Sequence, residues 1–160
     1  MGIEIERKFL VKGDGWRSLG SGTIYRQGYI TTENKINTVR VRLIGEQGYL
    51  TIKGKTTGAT RAEFEYPIPK EDALFMLENL CDHPLIEKTR YKIKQGELIW
   101  EVDEFMGDNQ GLIIAEVELE QENQAVELPN WIGQEVTGNL QYHNSNLVKY
   151  PFKKWKDEHR

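Results

Sequence analysis

The feature that most constrains this chain is an alternation of period two in which one face of each run is ionic and the other apolar. In Thr38-Val39-Arg40-Val41-Arg42-Leu43-Ile44, Arg40 and Arg42 alternate with Val39, Val41 and Leu43. Successive side chains of a β-strand point to opposite faces, so this run reads as a two-faced ribbon. The chain begins the same way: Glu4, Glu6 and Lys8 fall on one face, and Ile3, Ile5 and Phe9 on the other. Further along, Thr51 and Lys53 are set against Leu50 and Ile52, and Arg61, Glu63 and Glu65 against Phe64 and Tyr66. Lys88, Arg90, Lys92 and Lys94 form one row. Glu97, Glu101 and Asp103 alternate with Leu98, Trp100 and Val102, and Glu116, Glu118 and Glu120 with Ala115, Val117 and Leu119. Such a set of ribbons must bury its apolar faces together and give its ionic faces either water or each other.

Eight strands are expected, at 4–11, 23–31, 38–44, 49–53, 61–68, 86–94, 97–105 and 112–120, punctuated by turns such as Gly45-Glu46-Gln47-Gly48 and Gln95-Gly96. One helix is expected over 73–81, where Pro69-Lys70-Glu71-Asp72 supplies the proline and acidic residues of a helix start. Segments around 129–132 and 139–147 read as short helical pieces over the sheet, and 151–155 as a terminal stretch that packs or stays mobile. Hairpin-length connections around one helix-bearing excursion suggest an antiparallel meander. Closing it would remove the exposed edges that a sheet must otherwise protect. The fold class is β-rich α+β, with an eight-stranded antiparallel closed β-barrel favoured and a few helices packed outside. No repeat or linker divides the 160 residues, so one domain over 1–160 is expected, long enough for a real core.

Bulk properties narrow the function. A formal net charge of -4 argues against non-specific nucleic-acid binding, which depends on a basic footprint. Cys81 is the only cysteine, so neither an intramolecular disulfide nor a thiolate metal cluster can form. The chain enters strand sequence at once, without an apolar run resembling a signal peptide or a membrane span, so a cytoplasmic location with no membrane partner is expected. A monomer or a homodimer fits these properties equally.

Two readings of the charged faces stand open. In one, the apolar face packs on the helix and the charges meet water, with cross-strand ion pairs contributing little. In the other, the charges face inward around a wet lumen and the apolar faces pack outward. The second is favoured by the residue types. Arg-x-Arg and Lys-x-Arg pairs suit phosphate oxygens, which a guanidinium meets through two donors at once. Glu4-x-Glu6 and Glu116-x-Glu118 lie on the first and last strands, which a closed barrel brings side by side. Four carboxylates converging there would repel, and a divalent cation would resolve the clash. Oxygen ligands suit Mg²⁺ or Mn²⁺. A metal at one wall and Arg/Lys rows on the others would fit a compact polyanion such as a linear triphosphate.

The ordered set as a whole resembles the CYTH superfamily, also called the triphosphate tunnel metalloenzymes. Glu4-x-Glu6-x-Lys8 is similar to its ExExK signature. Arg40-x-Arg42, Lys53, Arg61-x-Glu63-x-Glu65, Lys88-x-Arg90, Asp103 and Glu116-x-Glu118 follow in the family's order. The resemblance implies an eight-stranded tunnel with its charges inward. It implies that Glu4, Glu6, Glu116 and Glu118 hold divalent metal with Asp103 close by, and that these glutamates and Lys8 form the catalytic group. Arg40, Arg42, Lys53, Arg61, Lys88, Arg90 and Lys8 would bind the triphosphate, with Lys8 near the scissile phosphate or the attacking water. Glu63 and Glu65 would order the basic residues or a second metal, and Tyr29 would support the site. Glu120 lies outside the motif and reads as rim. The Gln27-Gly28-Tyr29 segment and the Tyr142-x-x-x-Asn146-Leu147 tail look most like the small bacterial members. In those, inorganic tripolyphosphate is the usual substrate and a C-terminal helix can lie at the tunnel mouth.

The resemblance leaves two other functions open. The same tunnel could act on an organic triphosphate, as a thiamine triphosphatase, a nucleoside triphosphatase or a class IV-type adenylate cyclase. That needs a ring contact, to which the sequence assigns no residue, with Tyr25, Tyr29 or a tail aromatic left open for it. A non-catalytic polyphosphate-binding module would share the basic rows but would not need both Glu-x-Glu pairs. His83, His143 and His159 lack ligand spacing and read as surface or capping residues. Cys81 reads as apolar filler. Trp100, Trp131 and Trp155 read as packing residues.

Overall fold

The computed structural model describes residues 2–34 and 36–155. Nine strands form one antiparallel sheet: β1 (Gly2–Val11), β2 (Gly22–Ile30), β3 (Thr38–Ile44), β4 (Gln47–Lys53), β5 (Thr60–Ile68), β6 (Ile86–Gln95), β7 (Leu98–Phe105), β8 (Ile113–Glu118) and β9 (Ile132–Glu135). Helix α1 (Lys70–Asn79) follows β5 and helix α2 (Asn144–Lys149) lies in the C-terminal segment, with short 3₁₀ turns between elements. Hydrogen-bonded neighbours run β5-β4-β3-β2-β6-β7-β8-β1, and β1 pairs again with β5. Eight strands therefore close into a barrel, the form that the sequence favoured.

The path differs from a plain meander. β2 to β5 form one meander and β6 to β8 another, but β6 pairs with β2 rather than with β5. The excursion through α1 carries the chain back across the barrel, and β1 fills the remaining gap between β8 and β5. The segment expected to be helical near 129–132 is also different. Trp131 ends a turn and Ile132 opens β9, which pairs with β1 at Phe9↔Glu135 and Val11↔Ile132 across a register shift. Lys12 donates to the Trp131 carbonyl and Val136 N to the Lys8 carbonyl. A four-residue strand is too short to show alternation, and the open backbone groups of β1 recruit it. Helix α1 starts earlier than expected, at Lys70, directly after Pro69.

The apolar faces pack outward under three covers. Over β1, β7 and β8, Phe9, Trp100 and Val117 pack with Trp131, Ile132 and the buried Trp16. Trp100 meets both Phe9 and Trp131 edge to face, at 5.6 and 5.8 Å between ring centres. Over β3 and β4, Val41 and Leu43 pack against Ala73, Leu77 and Cys81 of the α1 region. The third cluster includes residues of the inward faces. Ile86, Phe105 and Ile114 lie on the same strand faces as Lys88, Asp103 and Glu116, by alternation, yet they pack with Leu147, Val148 and Trp155. The inward face thus turns apolar at one end of the barrel, and the C-terminal segment packs there. The 151–155 stretch is packed: Trp155 is buried and donates its indole N–H to the Tyr150 carbonyl.

Glycine sets how close α1 can come. A Cβ added at Gly48 on β4 would stand 2.7 Å from the Ala73 Cβ, which belongs to the helix and has no rotamer to escape by. Gly48→Ala is therefore expected to lift α1 and to destabilise the protein by about 1–3 kcal/mol, as overpacking does. A urea midpoint equal to wild type would contradict this packing.

Candidate active site

Barrel closure gathers the ionic faces around one cavity of about 310 Å³. Seven carboxylates and eight Lys or Arg residues line it. The lining comes strand by strand: Glu4, Glu6 and Lys8 from β1; Tyr25 and Tyr29 from β2; Arg40 and Arg42 from β3; Tyr49 and Lys53 from β4; and Arg61, Glu63 and Glu65 from β5. Lys88, Arg90 and Lys92 come from β6, Glu101 from β7, and Glu116 and Glu118 from β8. The reading with solvated outer charges is thereby overturned, because the same alternation places the charges inside.

Register explains the carboxylate side. β1 and β8 pair with Glu6 opposite Glu118 and Lys8 opposite Glu116. On the other flank Glu4 lies opposite Arg61 of β5, and Lys53 of β4 opposite Glu63. Lys53 Nζ stands 3.3 Å from Glu4 and 3.4 Å from Glu63. Lys8 Nζ stands 3.1 Å from Glu116 and 3.8 Å from Glu6. Two lysines cannot compensate this many acids. Burial, reinforced by Glu116, pushes the Glu6 carboxyl up to about 8. Glu118 is raised by burial and by Glu4, Glu63 and Glu101, and Glu63 by burial and Glu4. Glu116 departs from its neighbours: burial opposes its charge, but Lys8 and Arg90 hold it well below the usual carboxylate range.

The cationic side is held by a different set. Asp103, wholly buried, accepts two hydrogen bonds from Arg90, at 2.7 and 2.8 Å, and faces Lys88 Nζ at 2.7 Å. Against the cost of burial, Arg90 and Lys88 keep its carboxyl low. Asp103 is therefore turned to the basic residues and is not part of the cavity lining, while Arg90, which it holds, also reaches Glu116 at 3.2 Å and links it to the carboxylate cluster. Lys88 is pulled down to about 7 by burial, and Arg90 and Arg42 add to the effect. Arg40 pairs with Glu65 at 3.2 Å and with the Thr51 hydroxyl. Among the described residues the Arg61 guanidinium donates to the Thr38 hydroxyl alone, at 3.4 Å. Among the described residues the Nε–H groups of Arg40 and Arg61 are buried without an acceptor. An unmade bond to a buried charged donor is costly, and an anion's oxygens would supply what is missing.

Several residues that support or line the site carry no role in the sequence reading. Gln27 is fully buried on β2 between the Tyr25 and Tyr29 positions, behind the cavity wall, and alternation alone could have set it on that face. Its Oε1 accepts from Arg42 Nε at 2.9 Å, and its Nε2 donates to the Tyr29 hydroxyl at 2.7 Å. Asn144 at the start of α2 accepts from Lys88 Nζ at 2.8 Å. No local pattern marks that residue, because it reaches the site from the tail. His143, expected as a surface or capping residue, stands at the N-cap position of α2 and lines the cavity, and burial near Lys8 and Arg61 pulls it down to about 3. Lys94 and Glu120 are exposed and do not line the cavity, Glu97 precedes β7 in the turn, and His159 lies outside the described residues.

The carboxylate wall offers oxygen donors only, with more negative charge than the protein's own cations balance. That chemistry fits a hard divalent cation. Among the described residues no three acidic, His or Cys side chains already stand close enough together to enclose one ion. The carboxylates are instead spread along β1, β5 and β8 with lysines between them.

The closed antiparallel barrel thus sets a carboxylate-rich side of its lumen against an arginine-rich one. The CYTH domain model matches residues 2–150. The chain belongs to the CYTH domain family. It is 54% identical over 157 residues to an inorganic triphosphatase of Acetivibrio thermocellus, covering 98% of this chain and all of the relative. It is 36% identical over 153 residues to an inorganic triphosphatase of Nitrosomonas europaea, covering 91% of this chain and 96% of that one. A solved structure of an inorganic triphosphatase superposes with a TM-score of 0.63 at 35% identity, over 91% of this chain and 93% of its own.

The Glu6 shift has a sign that can be measured. A carboxyl held at about 8 in the folded chain, against an ordinary 4.5, binds its proton more tightly folded than unfolded. Its contribution to stability is fully present below the unfolded value and is lost as pH rises through the folded one. Without divalent ions, Glu6→Gln should match wild type in thermal stability near pH 4 and exceed it at pH 9. Equal melting temperatures at both ends would show that Glu6 is not under this strain.

Proposed function

We propose that the tunnel is the active site of a divalent-metal-dependent inorganic triphosphatase, which cleaves tripolyphosphate to pyrophosphate and phosphate. The observation that carries this reading is charge segregation within one lumen. The β1/β8 wall carries surplus carboxylates, while among the described residues Arg42 and Arg61 make no ion pair with a carboxylate, and the Nε–H groups of Arg40 and Arg61 are buried without an acceptor. A linear triphosphate bridging the two walls would satisfy both. Glu4, Glu6, Glu116 and Glu118 would hold the ion, Mg²⁺ or Mn²⁺, which when bound would neutralise phosphate oxygens and favour attack by water.

The chain's own residues do the remaining work. Arg40, Arg42, Lys53, Arg61, Lys88 and Arg90 bind and orient the phosphates, and donors fixed before the reaction stabilise charge as it develops on the leaving oxygen. Asp103 holds Arg90 and Lys88 in place rather than ligating the ion. Lys8 sits against Glu116, where it reaches the boundary between the two walls. Lys88 is aimed by two partners, pairing with Asp103 at 2.7 Å and donating to Asn144 at 2.8 Å. Glu63 and Glu65 restrain Lys53 and Arg40. The substrate is a small polyanion, so neither nucleic acid nor membrane is required; among the described residues no helix is long and apolar enough to cross a membrane. The expected setting is the cytoplasm, as a monomer or homodimer.

Phosphate release from tripolyphosphate, ATP and thiamine triphosphate, measured with Mg²⁺, with Mn²⁺ and with chelator, tests the reading. Turnover of tripolyphosphate should exceed that of the organic substrates and stop with chelator. Glu4→Gln should cost about a hundredfold or more in kcat with the circular dichroism spectrum unchanged, the scale of losing one fixed electrostatic partner. Metal-independent turnover, or full activity in Glu4→Gln, would overturn the assignment.

A further inference from the structure

Tyr25 stands where the phosphate clamp has its most difficult electrostatic problem. Arg42 is buried and makes no ion pair with a carboxylate among the described residues, whereas Arg90 is tied to Asp103, Glu101 and Glu116. Burial, Arg40 and Arg90 all work against the charge on Arg42. A guanidinium nevertheless stays protonated at neutral pH, so this is a buried cation beside other cations. Its hydrogen-bond partner is the neutral Gln27 Oε1 at 2.9 Å.

Tyr29 and Asp103 favour its charge without an ion pair to it, and the remaining contact is aromatic. The Arg42 Cζ lies over the Tyr25 ring at 4.9 Å from its centre, and the Arg90 Cζ at 5.0 Å from the same ring. Register makes this inevitable. Strand β2 runs between β3 and β6, and Tyr25 pairs with Ile44 on one side and Lys88 on the other. Arg42 and Arg90 are then its two diagonal neighbours, a distance that long side chains bridge. A ring face attracts a guanidinium through its quadrupole without carrying net charge. A carboxylate at this position would neutralise Arg42 and compete with any incoming phosphate; an aliphatic residue would leave two like charges unsupported.

We propose that Tyr25 is a positioning residue of the phosphate clamp, its ring holding Arg42 beside Arg90 while leaving the Arg42 charge free for a phosphate oxygen. This rests on the triphosphatase reading of the tunnel. It also gives Tyr25 a role other than stacking on a substrate ring, so the residue is needed for a substrate that has no ring.

Steady-state kinetics on tripolyphosphate, with melting temperatures in parallel, tests the proposal in Tyr25→Phe and Tyr25→Leu. Phe keeps the ring and should hold KM within about twofold of wild type, whereas Leu should raise KM roughly tenfold with kcat little changed. In an Arg42→Leu background the same Tyr25→Leu change should add little to KM, because the group it positions is gone. A wild-type KM for Tyr25→Leu, a Phe variant as impaired as Leu, or an undiminished Leu penalty in the Arg42→Leu background would each overturn it. If Tyr25→Leu does not fold, Tyr25→Met takes its place with the same outcomes. Should wild type bind tripolyphosphate without cleaving it, the triphosphatase reading fails by itself. The Phe and Leu contrast, read then as Kd by calorimetry, still decides the role of Tyr25.

Discussion

Everything in this molecule depends on where β1 pairs. Its first residues close the barrel against β5, its middle lies against β8, and its end recruits β9. That one strand sets Glu6 opposite Glu118 and Glu4 opposite Arg61, so it creates the acidic wall in the act of removing the sheet's open edges. A slip of one residue would turn Glu4, Glu6 and Lys8 outward and Ile3, Ile5 and Arg7 inward, because side chains alternate with a period of two. The exterior guards against that slip. Arg7 makes two hydrogen bonds to Glu135 of β9, at 2.9 and 2.8 Å, and the Lys8 backbone N–H donates to the Thr137 hydroxyl.

A lumen filled with charge is an expensive interior. Removing ions from water costs several kcal/mol each, and pairing repays that only where geometry is good. The barrel meets the cost unevenly. Around Asp103 the pairing is complete: Arg90 and Lys88 supply donors at 2.7–2.8 Å, and the carboxylate stays charged. Around Glu6 and Glu118 it is incomplete, and their carboxyls rise. Around Arg40, Arg42 and Arg61 it is incomplete in the opposite sense. The aromatic and aliphatic exterior, centred on Trp100, Phe9, Val41 and Leu77, supplies the hydrophobic burial that allows such a site to exist. Local imbalance within a well-paired network is what a binding site for a cation and a polyanion requires.

The sequence exposed most of this because the signal was strong and local. Arg40 with Arg42, Glu4 with Glu6 and Glu116 with Glu118 announce their shared faces by spacing alone, and the strand limits follow from the turns between them. What it concealed depends on distant pairing. Nothing near Ile132 shows that four residues will be taken up by β1, and the family resemblance of the tail, rather than any pattern at His143 or Asn144, is what points it to the tunnel mouth. Asp103 looked like its acidic neighbours, yet register sets it opposite Arg90, and that pairing decides what its oxygens can do. Tyr25 was visible as an aromatic on the inner face, but its two arginine neighbours become evident only once β2 is known to lie between β3 and β6.

The central claim is that one lumen holds both the cation and the triphosphate, each against its own wall. A crystal structure of Glu4→Gln or wild-type protein grown with Mn²⁺ and a non-hydrolysable triphosphate analogue, with anomalous scattering recorded for manganese, tests it most directly. The account predicts an anomalous peak within ligand distance of carboxylates from Glu6, Glu116 or Glu118 in the wild-type crystal, with phosphate oxygens on Arg40 and Arg42, and a weaker peak in the variant. Manganese outside the tunnel, or an analogue bound without contact to the arginines, would contradict it.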